Sequence, residues 1–237
     1  MIIDAHVHVG GPPPEAEPEN FVKLMDKSSI DKSIICRHIP GKPTLVGNEL
    51  IYSALRKYPD RFIGFVWINP NDVTAVEEIE KAVNEWGFRG IKLHLETMFA
   101  SEDKLNRIFN AAETLNVPIY IHVGEHFSAV ENLSEKFEVE IILGHLGVGV
   151  YNLDPVRLKT ATTLAKKQKN IYLETSGNTY FFIEYALKNL GPAKLIFGSD
   201  FPHEHPLVLM NTINILQLNN REKHQILGEN IKKIVKL

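Results

Sequence analysis

Two histidines, His6 and His8, stand two residues apart in the apolar run Ile2 to Val9. In an extended strand, side chains at i and i+2 leave by the same face, so both imidazoles point into one space. Three more groups follow apolar runs later in the chain. They are His122 in Ile-Tyr-Ile-His-Val-Gly, His145 in Ile-Ile-Leu-Gly-His-Leu-Gly, and Asp200 at the end of Leu-Ile-Phe-Gly-Ser-Asp. Taken singly, each has an ordinary reading as a hydrogen-bonded core or loop histidine or a helix-capping aspartate. Brought to one place they have another: imidazoles plus a carboxylate suit Zn2+, Mn2+ or Fe2+, with a position left open for water or substrate. A metal there lowers the pKa of water from about 15.7 to about 7. A neighbouring histidine, with an ordinary pKa near 6.5, can then accept or return a proton.

Whether they meet depends on the elements that carry them. Eight β-rich runs are legible: Ile2 to Val9, Lys32 to His38, Phe62 to Asn69, Gly90 to Leu95, Pro118 to Val123, Val139 to Gly144, Asn170 to Thr175 and Lys194 to Gly198. Their near-continuous apolar character fits parallel strands covered on both faces. Between them lie amphipathic stretches. Val73 to Trp86 carries an Asn71-Asp72 cap and a Gly87 stop, Ser101 to Leu115 starts with a cap, and Asp154-Pro155 opens another helix. Leu207 to Leu218 and Glu222 to Val235 supply the last helices, and the Pro-rich piece Gly11 to Pro18 reads as a loop. Strict βα alternation over eight strands predicts one α/β domain, residues 1–237, folded as a single (β/α)8 TIM barrel. A doubly wound open sheet is the alternative. In a barrel the C-terminal strand ends converge on one mouth, and the five groups sit at such ends.

Other groups belong to the same mouth. Lys92 and His94 share a face in Gly-Ile-Lys-Leu-His. Lysine is seldom buried, so an inward Lys92 means a metal-bridging group, an uncharged or paired site group, or a structural ion pair. Arg37 is the best clamp for a substrate carboxylate, because a guanidinium matches that geometry; a surface arginine is the plain alternative. His38, Trp67, Asn69, Glu174 and Ser176 end strands, and His203 and His205 follow Asp200 in the last βα loop, where they orient substrate or are solvated.

Asp-Ala-His-Val-His, His-Val-Gly, Gly-His-Leu-Gly and Gly-Ser-Asp-Phe-Pro, in this order from the first strand to the last, resemble the amidohydrolase superfamily. The resemblance is to its amidohydrolase-related branch, which includes aminocarboxymuconate semialdehyde decarboxylase. The ending Leu-Gly-Glu-Asn-Ile-Lys-Lys-Ile is similar to that branch's C-terminal helix, and the match runs from Ile3 to about Val235. The resemblance implies that His6, His8, His122 and Asp200 bind one divalent metal, Zn2+ before Mn2+ or Fe2+. It also implies that Asp200 exchanges a proton with the water and that His145 acts beside it as base or electrostatic partner. Two-metal members carry a carboxylated strand-4 lysine as a bridge, the position of Lys92, whereas the one-metal branch lacks that bridge.

Composition narrows the function. The chain has 237 residues, 44% hydrophobic and 23% charged, with a formal net charge of −3, which is too apolar for disorder and offers no general attraction for nucleic acid or anionic membrane. Cys36 is the only cysteine, excluding a disulfide framework within one chain and a four-cysteine zinc site. The opening residues lack the basic region and long apolar core of a signal peptide, and no apolar run approaches membrane-spanning length. The expectation is a cytoplasmic protein, compatible with a homodimer, acting on a small molecule. The leading function is metal-dependent hydrolysis of an amide, ester or lactone, and the second is non-oxidative decarboxylation of a small unsaturated or aromatic carboxylic acid. A nuclease like the TatD group fits less well. That group has a strand-4 glutamate in a Gly-Glu-x-Gly-Leu-Asp-like context where this chain has Gly-Ile-Lys-Leu-His. A non-enzymatic metal-binding barrel is the remaining alternative.

Overall fold

In the computed structural model, residues 1–37 and 45–237 are described. The strands are β1 (Ile3–Val9), β2 (Lys32–Arg37), β3 (Phe62–Trp67), β4 (Gly90–His94), β5 (Ile119–His122), β6 (Ile141–Leu143), β7 (Ile171–Glu174) and β8 (Leu195–Ile196). Each lies parallel to the next, in the order β1 to β8. The sheet then closes on itself. Ala5 N–H donates to the Phe197 carbonyl (3.0 Å), Asp200 N–H to that of His6 (2.8 Å) and His8 N–H to that of Phe201 (2.7 Å). Closure makes this a single (β/α)8 barrel and rules out the open sheet. His38, expected at the end of the second strand, lies outside the described residues.

Helices α1 (Pro18–Ser28), α2 (Leu45–Lys57), α3 (Ala75–Asn84), α4 (Glu102–Leu115), α5 (Phe127–Lys136), α6 (Pro155–Lys167), α7 (Tyr180–Leu190) and α8 (Pro206–Ile215) follow the strands in turn. In α4, Leu105, Ile108, Phe109 and Ala112 form the apolar stripe the spacing predicts, and all four are buried against the outer face of the sheet. Full burial of each such large side chain contributes about 1.5–3 kcal/mol. Asp154 caps α6 by accepting from Val156 N–H (2.8 Å) and Arg157 N–H (3.2 Å), with Pro155 in the first turn. The third helix starts later than its Asn71-Asp72 signal suggests. Asp72 is held in a turn by Asn69, whose Nδ2 donates to it at 3.0 Å, and the helix begins at Ala75. Part of the Pro-rich stretch is a short 3-10 turn, Pro14–Ala16. Among the described residues no helix is long and apolar enough to cross a membrane.

The barrel interior holds its own apolar cluster, including Ile3, Ala5, Ile34, Ile63, Phe65 and Ile142. It continues into Ile231, Ile234 and Val235 in and just after α10 (Asn230–Ile234), which follows α9 (Asn220–His224) through a π turn. This closing segment packs under the N-terminal strand ends and leaves the opposite mouth free for polar groups.

Asp4 fastens the barrel seam. It is fully buried and accepts from Ser199 N–H (2.9 Å), Ser199 Oγ–H (2.6 Å) and His6 N–H (3.2 Å). Burial pushes its carboxyl up to about 7 in spite of those bonds. Asp4→Ala strands the buried Ser199 donors and is expected to cost about 1–3 kcal/mol. A urea titration checks it: the midpoint should fall with the slope unchanged.

Candidate metal centre and active site

The two imidazoles of β1 do share a face. His6 Nε2 and His8 Nε2 are 3.1 Å apart, and Asp200 Oδ1 lies 3.4 Å from the first and 3.2 Å from the second. Two ligand atoms bound to one ion at about 2.0–2.1 Å with tetrahedral angles stand about 3.3 Å apart, so the three atoms have the spacing of one face of a coordination shell. The triangle borders a cavity of about 310 Å3 at the C-terminal ends of the strands, which His122, His145, Lys92, His94 and His203 also line.

The backbone is bent to make this constellation. Asp200 has φ +61° and His145 φ +57°, both in the left-handed region where a residue with a Cβ is strained. Such strain persists only where the surroundings over-determine it, and it clusters at functional sites. Two glycines of the sequence motifs have a related purpose. A Cβ on Gly144 would overlap the Tyr120 hydroxyl, and one on Gly198 would overlap the Glu174 carboxylate. Their absence of side chain admits a polar cluster behind His6.

His122 reaches the cavity from β5. Its Nε2 is buried and makes no hydrogen bond among the described residues; Glu96 Oε2 stands 2.9 Å away without the alignment of one. A buried imidazole nitrogen without an aligned hydrogen bond, beside two other imidazoles and the Glu96 carboxylate, has a lone pair available to a cation. The three-atom triangle fits one face of a divalent metal's shell; His122 lines the same cavity but groups most tightly with His94 and Glu96. His94 stacks on the His122 ring with centroids 4.1 Å apart, and its Nδ1 is bonded to Thr97 Oγ1 (3.0 Å). The His145 ring lies 5.0 Å from that of His6 and 4.8 Å from that of His122.

Charge states follow from burial and neighbours. Burial, then the Lys92 ammonium, holds His6 well below its ordinary value, and burial with the adjacent His145 does the same to His122. Burial lowers His145 and brings His94 down to about 4. Burial opposes ionisation of Asp200, but the His6 and His8 imidazoles outweigh it and keep its carboxyl below the usual range. His8 differs: burial opposes its charge, but Cys36 and the Asp200 carboxylate raise it to about 10, so a cation bound there would have to displace the His8 proton, whereas His6 and His122 are already neutral beside an ionised carboxylate.

Lys92 is 3% exposed, an inward lysine, with Nζ 3.1 Å from His6 Nε2 and 3.8 Å from the centroid of the Tyr120 ring. Among the described residues no carboxylate forms an ion pair with it, so the structural-ion-pair alternative is not what the fold builds. Burial lowers its pKa. Arg37 ends β2 beside His8, whose Nδ1 is 3.4 Å from the Arg37 carbonyl oxygen. Its guanidinium passes over Gly10, and Nη1 is buried without a hydrogen-bond partner among the described residues. It does not border the 310 Å3 cavity. His203 lines the cavity, whereas His205 caps α8 by accepting from Leu207 N–H (3.2 Å). Trp67 walls the cavity, and its buried Nε1–H has no hydrogen-bond partner among the described residues. Asn69 is spent on Asp72.

Glu174 and Ser176, expected to face substrate, are fully buried behind His6 and His145. Three further groups escaped the motif reading: Tyr120, Cys36 and Glu96. Tyr120 precedes His122 by two residues and shares its face, the same signal that paired His6 with His8. Cys36 is set beside His8 by the β1–β2 register, with Sγ 3.3 Å from Nδ1. No local pattern marks Glu96, a loop residue.

Comparison with known proteins agrees with this architecture. The 4-sulfomuconolactone hydrolase of Rhizobium radiobacter is 25% identical over 232 residues, covering 84% of this chain and 75% of that protein. A probable 2-pyrone-4,6-dicarboxylic acid hydrolase from Acinetobacter baumannii superposes with a TM-score of 0.80 at 18% identity, over 100% of this chain and 99% of the other. A 5-carboxyvanillate decarboxylase from Novosphingobium aromaticivorans, solved with bound manganese, gives 0.79 at 19% identity, over 100% and 97%. Residues 45–237 match the amidohydrolase family itself, and the chain belongs to that family, in its amidohydrolase 2 branch.

Proposed function

We propose that this protein is a metal-dependent hydrolase of a small lactone, ester or amide. The observation that carries this reading is the His6–His8–Asp200 triangle with His145 at its edge, open to a cavity the size of a small molecule. His6, His8 and Asp200, with His122 from β5, would hold one divalent cation, Zn2+ or the Mn2+ found in a structural relative. Such a cation supplies Lewis acidity, which acidifies water and polarises a carbonyl oxygen. The protein's own residues do the rest. His145 accepts the proton lost by the attacking water and returns it to the leaving oxygen or nitrogen. Trp67 Nε1–H, a donor on the cavity wall without an acceptor among the described residues, orients a substrate oxygen. The identity to a lactone hydrolase supports a cyclic ester before an amide.

The Nη1 of Arg37, unpaired among the described residues, supports a second reading, in which a substrate carboxylate is anchored near the mouth and lost as CO2 while the carbon it leaves takes up a proton. One experiment separates the two. Protein purified without added metal is assayed for metal content, then incubated with unsaturated lactones and with hydroxylated aromatic acids. The hydrolase reading expects about one metal per chain and acid release from lactones. Release of CO2 from the acids, with lactones untouched, replaces it with the decarboxylase. A protein that holds no metal and rebinds neither Zn2+ nor Mn2+ overturns both.

A further inference from the structure

Behind the His6–His8–Asp200 triangle lies a buried polar cluster centred on Glu174. Glu174, at the end of β7, has no solvent exposure. Its two oxygens accept four hydrogen bonds: from Ser176 N–H (2.5 Å), Tyr120 Oη–H (2.6 Å), Ser176 Oγ–H (2.8 Å) and His145 N–H (3.2 Å). A carboxylate so placed is an acceptor only, and it claims the single proton of each hydroxyl. The Tyr120 oxygen is also 2.7 Å from His6 Nδ1, and the Ser176 oxygen is 3.0 Å from His145 Nδ1. Since each hydroxyl has already donated, each can only accept from the imidazole beside it. Both Nδ1 atoms therefore carry the proton, and both Nε2 atoms keep the lone pair.

We propose that Glu174 is a shared positioning residue: through Tyr120 it fixes the tautomer and orientation of His6, and through Ser176 it fixes those of His145. One buried carboxylate thereby prepares two imidazoles for different tasks. His6 presents Nε2 to the triangle with His8 and Asp200, and His145 presents Nε2 for proton transfer. The remaining contacts agree. His6 Nδ1 is also 3.3 Å from the Ser176 oxygen, and His145 Nδ1 is 3.3 Å from the Ser176 carbonyl, both acceptors toward an Nδ1–H. Room for the arrangement comes from Gly144, under the Tyr120 hydroxyl, and Gly198, under the Glu174 carboxylate. The glycines of Gly-His-Leu-Gly and Gly-Ser-Asp-Phe-Pro thus gain a physical reason that lies in the cluster and not in a turn.

The proposal rests on the metal-centre reading above for its purpose, but its test stands apart. Long-range 1H–15N correlation on the metal-free protein reads the imidazole tautomers directly. Nδ1–H is expected at both His6 and His145, and Nε2–H at either one overturns the assignment. Single variants then divide the two arms. Tyr120→Phe is expected to release the tautomer of His6 and to weaken Mn2+ binding about 10–100-fold in a chelator competition. Ser176→Ala removes the hydroxyl and keeps the carbonyl 3.3 Å from His145 Nδ1, so it should admit a measurable fraction of the Nε2–H tautomer at His145 and leave Mn2+ affinity within about threefold. Unchanged tautomers in both variants would mean that the cluster only packs the barrel, and the proposal fails. Where Tyr120→Phe does not fold, the spectrum of the unaltered protein still decides. A protein that binds no metal at all sinks the hydrolase reading and leaves the tautomer question to be answered on the same spectra.

Discussion

Asp200→Ala is expected to lose its metal, its metal-dependent stabilisation and its activity together. Asp200 is the one carboxylate in the triangle and is held ionised, so its removal leaves the imidazoles with no negative charge to offset a dication. Losing a group that only supports a ligand costs about 10–100-fold in metal affinity, and losing a charged ligand costs more. Melting temperature gives a reading independent of substrate. An ion present at a hundred times its dissociation constant stabilises the native state by about 2.7 kcal/mol. For a chain of this length that raises the melting temperature by about 5–10 °C. The unaltered protein should show that shift on adding Mn2+ or Zn2+, and Asp200→Ala should show none. Because φ at Asp200 is +61°, alanine also adds backbone strain. Asp200→Asn tolerates that conformation better, keeps the size of the side chain, and should lose the metal shift without a comparable loss of metal-free stability. A variant that retains both the ion and the shift would remove Asp200 from the ligand set.

Much of this centre is legible in the chain because strands repeat every two residues. That period alone sets His6 beside His8 and Lys92 beside His94, and apolar runs ending in His122, His145 and Asp200 mark the strand ends. What the period does not contain is the register between strands. Lys92 pairs with Tyr120, His8 with Cys36 and His94 with His122 across neighbouring strands, and those offsets arise from barrel closure. The direction of Glu174 and Ser176 is a case in point. Both sit at a strand end, where a polar residue is expected to meet substrate, yet both turn inward because Gly144 and Gly198 leave space there. A glycine is read in sequence as a turn or a break, and its use as a void is visible only when the neighbours are in place. Helix limits fail for a similar reason. The Asn71-Asp72 cap signal is sound chemistry, but Asn69 claims Asp72 first.

His145→Ala is expected to keep its metal and lose its turnover. The imidazole belongs to no part of the His6–His8–Asp200 triangle, and its Nδ1 is engaged by Ser176, so deleting it removes no atom of that face. Affinity for Mn2+ and the metal-dependent melting shift should survive. What is lost is a positioned proton acceptor, a contribution typically worth about 100–10,000-fold in rate. The two variants therefore separate along different axes: Asp200→Ala fails both in ion content and in rate, and His145→Ala fails in rate alone. Strain supplies the control here as well. His145 sits at φ +57°, where asparagine is better tolerated than alanine, so His145→Asn should reproduce the loss of rate with a smaller loss of stability. If both variants turn over at the parent rate, proton transfer is performed elsewhere. Asp200, within hydrogen-bond range of two imidazoles, then becomes both ligand and base. If His145→Ala instead loses the ion, the histidine is a ligand, and the constellation has a different centre from the one its geometry describes.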